Sequence, residues 1–103
     1  MKKQKNVVLT PNELEIFTII VENGTHGAGD FRCDGESNGI ELDCVYRVAV
    51  SRGKRITSVK GTLSRLQEKD LILMYGRDFK CYFDGEVTPK GREYYLREIK
   101  KED

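Results

Sequence analysis

The chain has 103 residues, of which 18 are basic and 17 acidic, so its formal net charge is only +1. This length suits one domain with one modest core, and the balanced charge excludes a protein that attracts its partner through total charge alone. No apolar stretch is long enough to cross a membrane, and Lys2–Lys5 precede too few apolar residues for a secretory signal. Because the cysteines number three, we expect free thiols in the reducing cytoplasm.

The N-terminal part of the sequence predicts a mobile basic segment over residues 1–9, followed by a helix. The run Thr10-Pro11-Asn12-Glu13 predicts the helix start, because threonine can cap a helix, proline suits its first position and Glu13 can complete a capping box. Helical spacing predicts a core-facing side formed by Leu14, Phe17, Ile20 and Val21. The helix should end at Asn23-Gly24.

Residues 24–39 predict a long Gly-rich acidic loop, since they hold five of the ten glycines. Some of its residues also match the register of a calcium-binding loop: Asp30, Asp34, Gly35, Asn38 and Glu41. Arg32 stands where that loop requires an oxygen ligand, which argues against calcium. A zinc site could draw on His26, Cys33, Cys44 and Cys81, but their spacing lacks close ligand pairs. We favour a surface loop that binds no metal, and we expect no cofactor.

The charge is distributed unevenly along the chain. Between Cys44 and Gln67 there is no acid, and six residues are basic: Arg47, Arg52, Lys54, Arg55, Lys60 and Arg65. An acid-free basic segment in a neutral protein is typical of polyanion binding, whereas an ordinary solvated face mixes both signs. If all six residues contacted phosphates of DNA, binding would depend on salt with a log–log slope of about −5.

The same segment predicts two helices joined by a tight turn. Asn38 and Glu41 can cap a second helix over residues 40–51, and Gly53 permits an abrupt turn after it. The apolar side of this helix would be Ile40, Cys44, Val45, Val48 and Ala49. Thr57 or Ser58 can cap a third helix over residues 57–69. Its buried side would be Val59, Leu63 and Leu66.

The outer side of the third helix is polar and holds Lys60, Gly61, Ser64, Arg65 and Gln67. Such side chains can donate hydrogen bonds to phosphates or base edges, and the first turn of a recognition helix is the part that enters the major groove. Gly61 in a helix interior costs about 1 kcal/mol relative to alanine. Close approach to DNA and close packing of another helix both remain open as its reason.

Residues 71–87 predict a β-hairpin, with strands over 71–75 and 79–83 and a turn at 76–78. Asp84-Gly85 is an alternative hairpin tip. Thr88-Pro89 predicts the start of a final helix over residues 89–101, with an apolar stripe of Tyr95, Leu96 and Ile99. The predicted fold class is therefore α+β.

Several of these segments resemble winged helix-turn-helix transcriptional regulators of the MarR and PadR kind. They are Val48-Ala49, Gly53, Val59, Leu63, Leu66, Glu68–Ile72 and Thr88–Glu93. The resemblance extends over residues 10–99 and implies a single winged-helix domain with a three-helix core, a hairpin wing and a C-terminal helix. Two positions depart from the pattern: Arg52 replaces a usually apolar residue, and Asp70 replaces the glycine that usually ends the recognition helix.

The resemblance implies a non-enzymatic transcription regulator that binds double-stranded DNA sequence-specifically. The DNA-contacting residues would be Arg52, Lys54, Arg55, Thr57, Ser58, Lys60, Gly61, Ser64 and Arg65, with Arg77 and Lys80 from the wing. A homodimer is expected if the DNA site is a palindrome. The alternative is a protein-docking winged helix, which would show an exposed apolar patch around Tyr75, Tyr82 and Tyr94. We predict no catalytic residues, because His26 has no evident partner.

Overall fold

The computed structural model describes residues 8–25, 39–75 and 84–99. Over these ranges the protein is α+β, with four helices and one three-stranded antiparallel sheet. The elements in chain order are α1 (Pro11–Asn23), β1 (Gly39–Ile40), α2 (Leu42–Ser51), α3 (Ile56–Glu68), β2 (Ile72–Met74), β3 (Gly85–Val87) and α4 (Pro89–Tyr94). The chain continues from α4 into a π-helical segment, Tyr95–Ile99. None of the described helices is long and apolar enough to span a bilayer.

The start of α1 confirms the predicted capping box. The Thr10 hydroxyl accepts the backbone N–H of Glu13 at 3.1 Å, and Oε1 of Glu13 accepts the backbone N–H of Thr10 at 3.1 Å. The predicted burial of Leu14 is wrong, since 38% of that residue is exposed. Ile16 and Ile19 are buried instead, on a helix that packs against both α2 and α3.

A short strand replaces the predicted start of the second helix. Gly39 and Ile40 pair antiparallel with Glu86 and Gly85 of β3, so α2 begins only at Leu42. The backbone N–H of Glu41 donates to the carbonyl of Gly24 at 2.8 Å, which brings the two ends of the acidic loop together. Residues 26–38 of that loop lie outside the described residues.

The hairpin pairs β2 with β3, and β3 lies between β1 and β2 in the sheet. The backbone N–H of Tyr75 donates to the carbonyl of Asp84 at 2.9 Å, so residues 76–83 connect the strands. Asp84-Gly85 is therefore the entry to β3, and the alternative of a hairpin tip there is wrong. The predicted turn over 76–78 and strand over 79–83 lie outside the described residues.

The final helix begins as predicted and then changes its winding. The Thr88 hydroxyl accepts the backbone N–H of Gly91 at 2.9 Å, and Pro89 occupies the first turn. The single α-helix predicted over 89–101 is wrong over Tyr95–Ile99, where the winding is π-helical, and residues 100–101 lie outside the described residues. Two aromatic residues contact α1 here: Tyr94, the last residue of α4, and Tyr95, the first residue of the π-helical segment. Tyr95 Oη donates to Oε2 of Glu22 at 2.9 Å, and the Tyr94 ring meets Phe17 edge-on at 6.0 Å.

The core lies between the three N-terminal helices, and the sheet covers one side of it. Its buried apolar side chains include Ile16, Phe17 and Ile20 from α1, Val45 and Ala49 from α2, and Val59, Leu63 and Leu66 from α3. The predicted buried side of the third helix is thus confirmed. Full burial of one valine, leucine, isoleucine or phenylalanine side chain stabilises the fold by roughly 1.5–3 kcal/mol. The packing of this core therefore fixes the position of α3 on the other helices.

Candidate nucleic-acid interface

The turn between α2 and α3 depends on one glycine. Gly53 has φ = 85°, in the left-handed region where a side chain is strained. Its backbone N–H donates to Val50 at 2.9 Å, and that of Lys54 donates to Ala49 at 3.0 Å. Arg55 is the residue that precedes α3, so the predicted capping by Thr57 or Ser58 is wrong. Both hydroxyls instead lie exposed in the first turn of α3, where they are available to a partner.

The outer side of α3 is exposed along its length. Thr57, Ser58, Lys60, Ser64 and Arg65 are exposed, and Gly61 is half-buried. On the opposite side Thr62 is fully buried beside the apolar core residues. Ile56, in the first turn of α3, is 45% exposed. The outer side of α3 therefore includes a bulky apolar side chain, which was not predicted because the helix was expected to begin at residue 57.

Polar side chains of α1 hold part of the basic segment. Lys54 Nζ lies 2.7 Å from Oε1 of Glu15 and donates to Oδ1 of Asn12 at 2.9 Å. Asn12 Nδ2 in turn donates to the hydroxyl of Thr62 at 3.1 Å. Arg52 Nη1 is 4.0 Å from Glu15. Two of the predicted DNA-contacting cations, Arg52 and Lys54, therefore form ion pairs with α1.

Glu13 is a buried residue whose carboxylate binds two cations, one within α3 and one directly after it. Only 3% of it is exposed. Lys69 Nζ lies 2.7 Å from Oε1 and Arg65 Nε lies 3.2 Å from Oε2. The hydrogen bond from Lys69 lowers the pKa of Glu13 most, the backbone N–H of Thr10 and the charge of Arg65 lower it further, and burial opposes them. The carboxylate is therefore ionised at neutral pH.

The six cations of the basic segment thus fall into two groups. Arg52, Lys54 and Arg65 each have a carboxylate within 4.0 Å. Arg47, Arg55 and Lys60 are exposed and have no ion pair within residues 8–25, 39–75 and 84–99. No local pattern in the basic segment predicts this division, because the pairing acids lie on a different helix. The sequence pattern identified Glu13 only as part of the capping box, and it assigned no role to Glu15.

The C-terminal end of α3 is tied to the hairpin. Gln67, predicted on the outer side, accepts the backbone N–H of Met74 through Oε1 at 2.6 Å. Across the hairpin, Tyr75 Oη donates to Oε1 of Glu86 at 2.5 Å. These bonds hold the base of the hairpin against α3. The predicted wing contacts, Arg77 and Lys80, lie outside the described residues.

The metal alternatives concern residues that are mostly outside the described ranges. Of the calcium candidates only Glu41 is described, and of the zinc candidates only Cys44. Cys44 is a half-buried free thiol whose Sγ lies 3.8 Å from Oε1 of Glu41. In the described part of the chain no three His, Cys, Asp or Glu side chains are grouped as metal ligands.

Two of the three tyrosines named for a protein-docking surface are described, and both are half-buried. Tyr94 packs on Phe17, and Tyr75 bonds to Glu86, while Tyr82 lies outside the described residues. The most exposed apolar residue of the described sheet is Leu73, at 47%.

Comparison with protein-family models, with curated proteins and with solved structures found no match to this chain.

Proposed function

We propose that the outer side of α3 binds double-stranded DNA and that the protein acts as a transcription regulator. The observation that carries this proposal is the division of the basic segment. Three cations are exposed and have no carboxylate partner among the described residues: Arg47 on α2, Arg55 directly before α3 and Lys60 in its N-terminal half. Unpaired cations beside exposed hydroxyls are what contacts to phosphates and base edges require.

The fold supports a winged helix as the finer class. A helix, a tight turn with Gly53 and a second helix precede an antiparallel hairpin, which is the order that the resemblance to MarR- and PadR-type regulators implies. Asp70 has φ = 65°, so the position where those regulators usually have glycine adopts a glycine-like backbone here as well. The bond between Gln67 and Met74 joins helix and hairpin, so both would meet one duplex together.

In this proposal the first turn of α3 enters the major groove. Thr57 and Ser58 would contact phosphate or base edges through their hydroxyls, and Ile56 would supply an apolar contact of the kind that recognises a thymine methyl group. Arg55 and Lys60 would contact phosphates, and Arg47 would do so from α2, the helix that crosses the backbone in a helix-turn-helix. We propose no enzymatic activity. A homodimer on two half-sites and a cytoplasmic location complete the proposal.

The proposal is tested by titrating a fluorescently labelled random-sequence duplex with the protein at low salt. The double variant Arg55→Glu/Lys60→Glu should lower the affinity by on the order of tenfold or more, because it replaces two phosphate contacts by repulsion. Lys90→Glu/Arg97→Glu makes the same change in net charge on α4 and the π-helical segment, and should have a much smaller effect. Equal losses in both variants would contradict a specific role for α3.

A further inference from the structure

The side chain of Arg65 is oriented by two neighbours within the protein. Its Nε donates to Oε2 of Glu13 at 3.2 Å, and its Nη2 donates to the hydroxyl of Thr62 at 3.3 Å. Glu13 is 3% exposed and Thr62 is fully buried, so both acceptors are themselves fixed by the packing of α1 against α3. An arginine that is already ordered loses less rotamer freedom when it binds a second group.

The far edge of the same guanidinium is available. Nη1 has no hydrogen-bond partner within the described ranges, and the side chain is 53% exposed. The group extends back over Gly61, where an added Cβ would lie 3.8 Å from Nη1 and would meet no other described atom within 4 Å. The Nη1 and Nη2 atoms together present two coplanar N–H groups. This is the donor pattern that binds the O6 and N7 acceptors of guanine in the major groove.

The other cations of the proposed interface have a different environment. Arg55 and Lys60 are exposed and have no described partner that orients them, which suits attraction to phosphates regardless of sequence. Arg65 is compensated by the Glu13 carboxylate, so it adds less to that general attraction. Its fixed geometry favours a directional contact instead.

We infer that Arg65 reads a guanine base of the bound duplex and that Glu13 is the residue that positions its guanidinium. The inference rests on the proposed function, because it requires a duplex on the outer side of α3. Gly61 fits the same arrangement, since no side chain at that position separates the guanidinium from a base edge. The close helix packing that was the other explanation for Gly61 is absent among the described residues.

The test uses selection of bound duplexes from a pool of random-sequence DNA by the full chain and three variants. Arg65→Lys keeps the charge but cannot donate two coplanar hydrogen bonds. Glu13→Gln has one acceptor oxygen, which Lys69 and the backbone N–H of Thr10 would retain, so its NH2 group would face Arg65 Nε and displace it. Glu15→Gln is the matched control, because Glu15 pairs with Lys54 and does not touch Arg65.

The wild-type protein should enrich a motif with a guanine whose replacement lowers affinity roughly 5- to 150-fold. Arg65→Lys and Glu13→Gln should both lose this discrimination, with affinity for the unselected pool changed by less than about threefold in Arg65→Lys. Glu15→Gln should keep the discrimination. Circular dichroism checks folding. If Glu13→Gln is unfolded, Thr62→Val, which removes the second acceptor, should show the same loss.

Other outcomes overturn the inference in distinguishable ways. DNA binding without an enriched motif, or unchanged discrimination in Arg65→Lys, would overturn base reading by Arg65 while leaving the proposed function intact. Loss in Arg65→Lys with full discrimination in a folded Glu13→Gln would overturn the positioning role of Glu13. No binding of the wild-type chain to any duplex would overturn the proposed function and this inference with it.

Discussion

Glu13 in α1 and Lys69, directly after α3, form an ion pair in which Oε1 and Nζ are 2.7 Å apart. The carboxylate is buried, whereas a third of the lysine side chain is exposed. Because the same carboxylate accepts Arg65 Nε and the Thr10 backbone N–H, it joins the start of α1 to the end of α3. This ion pair therefore helps to hold the candidate recognition helix in place, in addition to the packing of the apolar core.

Glu13→Gln should therefore destabilise the fold. We expect the free energy of unfolding to fall by roughly 1–3 kcal/mol, since the charge-assisted bond from Lys69 is weakened and the bond from Arg65 Nε is lost. Glu15→Gln should destabilise the fold less than Glu13→Gln does, because Glu15 is 38% exposed and its ion pairs are screened by solvent. Urea denaturation at neutral pH measures both. A larger loss in the Glu15 variant would contradict the assignment.

Acid should act on the same carboxylate. The pKa of Glu13 is held below its ordinary value of 4.5, chiefly by the hydrogen bond from Lys69, so the folded state binds this proton more weakly than the unfolded state. The stabilisation is complete above pH 4.5 and is lost as the pH falls through the lower folded-state pKa. Unfolding of wild type and Glu13→Gln followed below pH 4.5 should converge. Parallel curves through that range would argue against a stabilising ionised Glu13.

Two glycine-to-alanine variants should have opposite effects on stability. Gly61→Ala should raise the free energy of unfolding by about 0.4–1 kcal/mol, because the new Cβ meets only Arg65 Nη1 at ordinary contact distance. Gly91→Ala should lower it by roughly 1–3 kcal/mol, because the Cβ would collide with the Leu71 carbonyl group. Thermal denaturation of both variants measures the changes. A destabilised Gly61→Ala would mean that position 61 packs more tightly than we describe.

Tyr95→Phe tests the contact between α1 and the C-terminal segment. Burial, followed by the hydrogen bond to Glu22, raises the pKa of Tyr95 to about 12 from 10.0. The folded state thus holds this proton more tightly, so the stabilisation is complete below pH 10 and is lost as the pH rises toward 12. The variant should lose about 1 kcal/mol at neutral pH and depend less on pH above 10. Chemical denaturation across this range would contradict us if both proteins responded alike.

Local sequence patterns were sufficient for several parts of this fold. Thr10, Pro11 and Glu13 carry a complete capping signal within four residues, and Val59, Leu63 and Leu66 repeat at helical spacing. Gly53 marked a turn whose positive φ requires glycine. In each case the cause of the structure is contained in a short stretch of chain, so it can be read from that stretch.

The failures concern structure that distant residues determine. Gly39-Ile40 is a two-residue strand that exists because β3 pairs with it, and no local pattern distinguishes it from a helix start. The basic segment looked uniformly free for the same reason. Its Arg65 and Lys54 meet acids of α1 only after the helices pack, so the charge count along the chain overstated the available cations.

Lys60→Ala should change the salt dependence of DNA binding. Removing one phosphate contact should make the slope of log K against log salt concentration shallower by about 1 and weaken binding to all sequences alike. Arg97→Ala is the control, because Arg97 already pairs with Glu98 at 2.9 Å in the C-terminal segment. Its slope should match that of the wild type. An unchanged slope in Lys60→Ala would place the duplex elsewhere.

The most direct measurement of the central claim is the salt dependence of wild-type binding to a double-stranded DNA. The three cations that have no ion pair among the described residues predict a log–log slope of about −3, shallower than the value of about −5 expected if all six cations of the basic segment contacted phosphates. A slope near −3, with the affinity lost when Arg47, Arg55 and Lys60 are replaced together, is the result we predict. No detectable binding at the lowest salt concentration would contradict DNA recognition by α3.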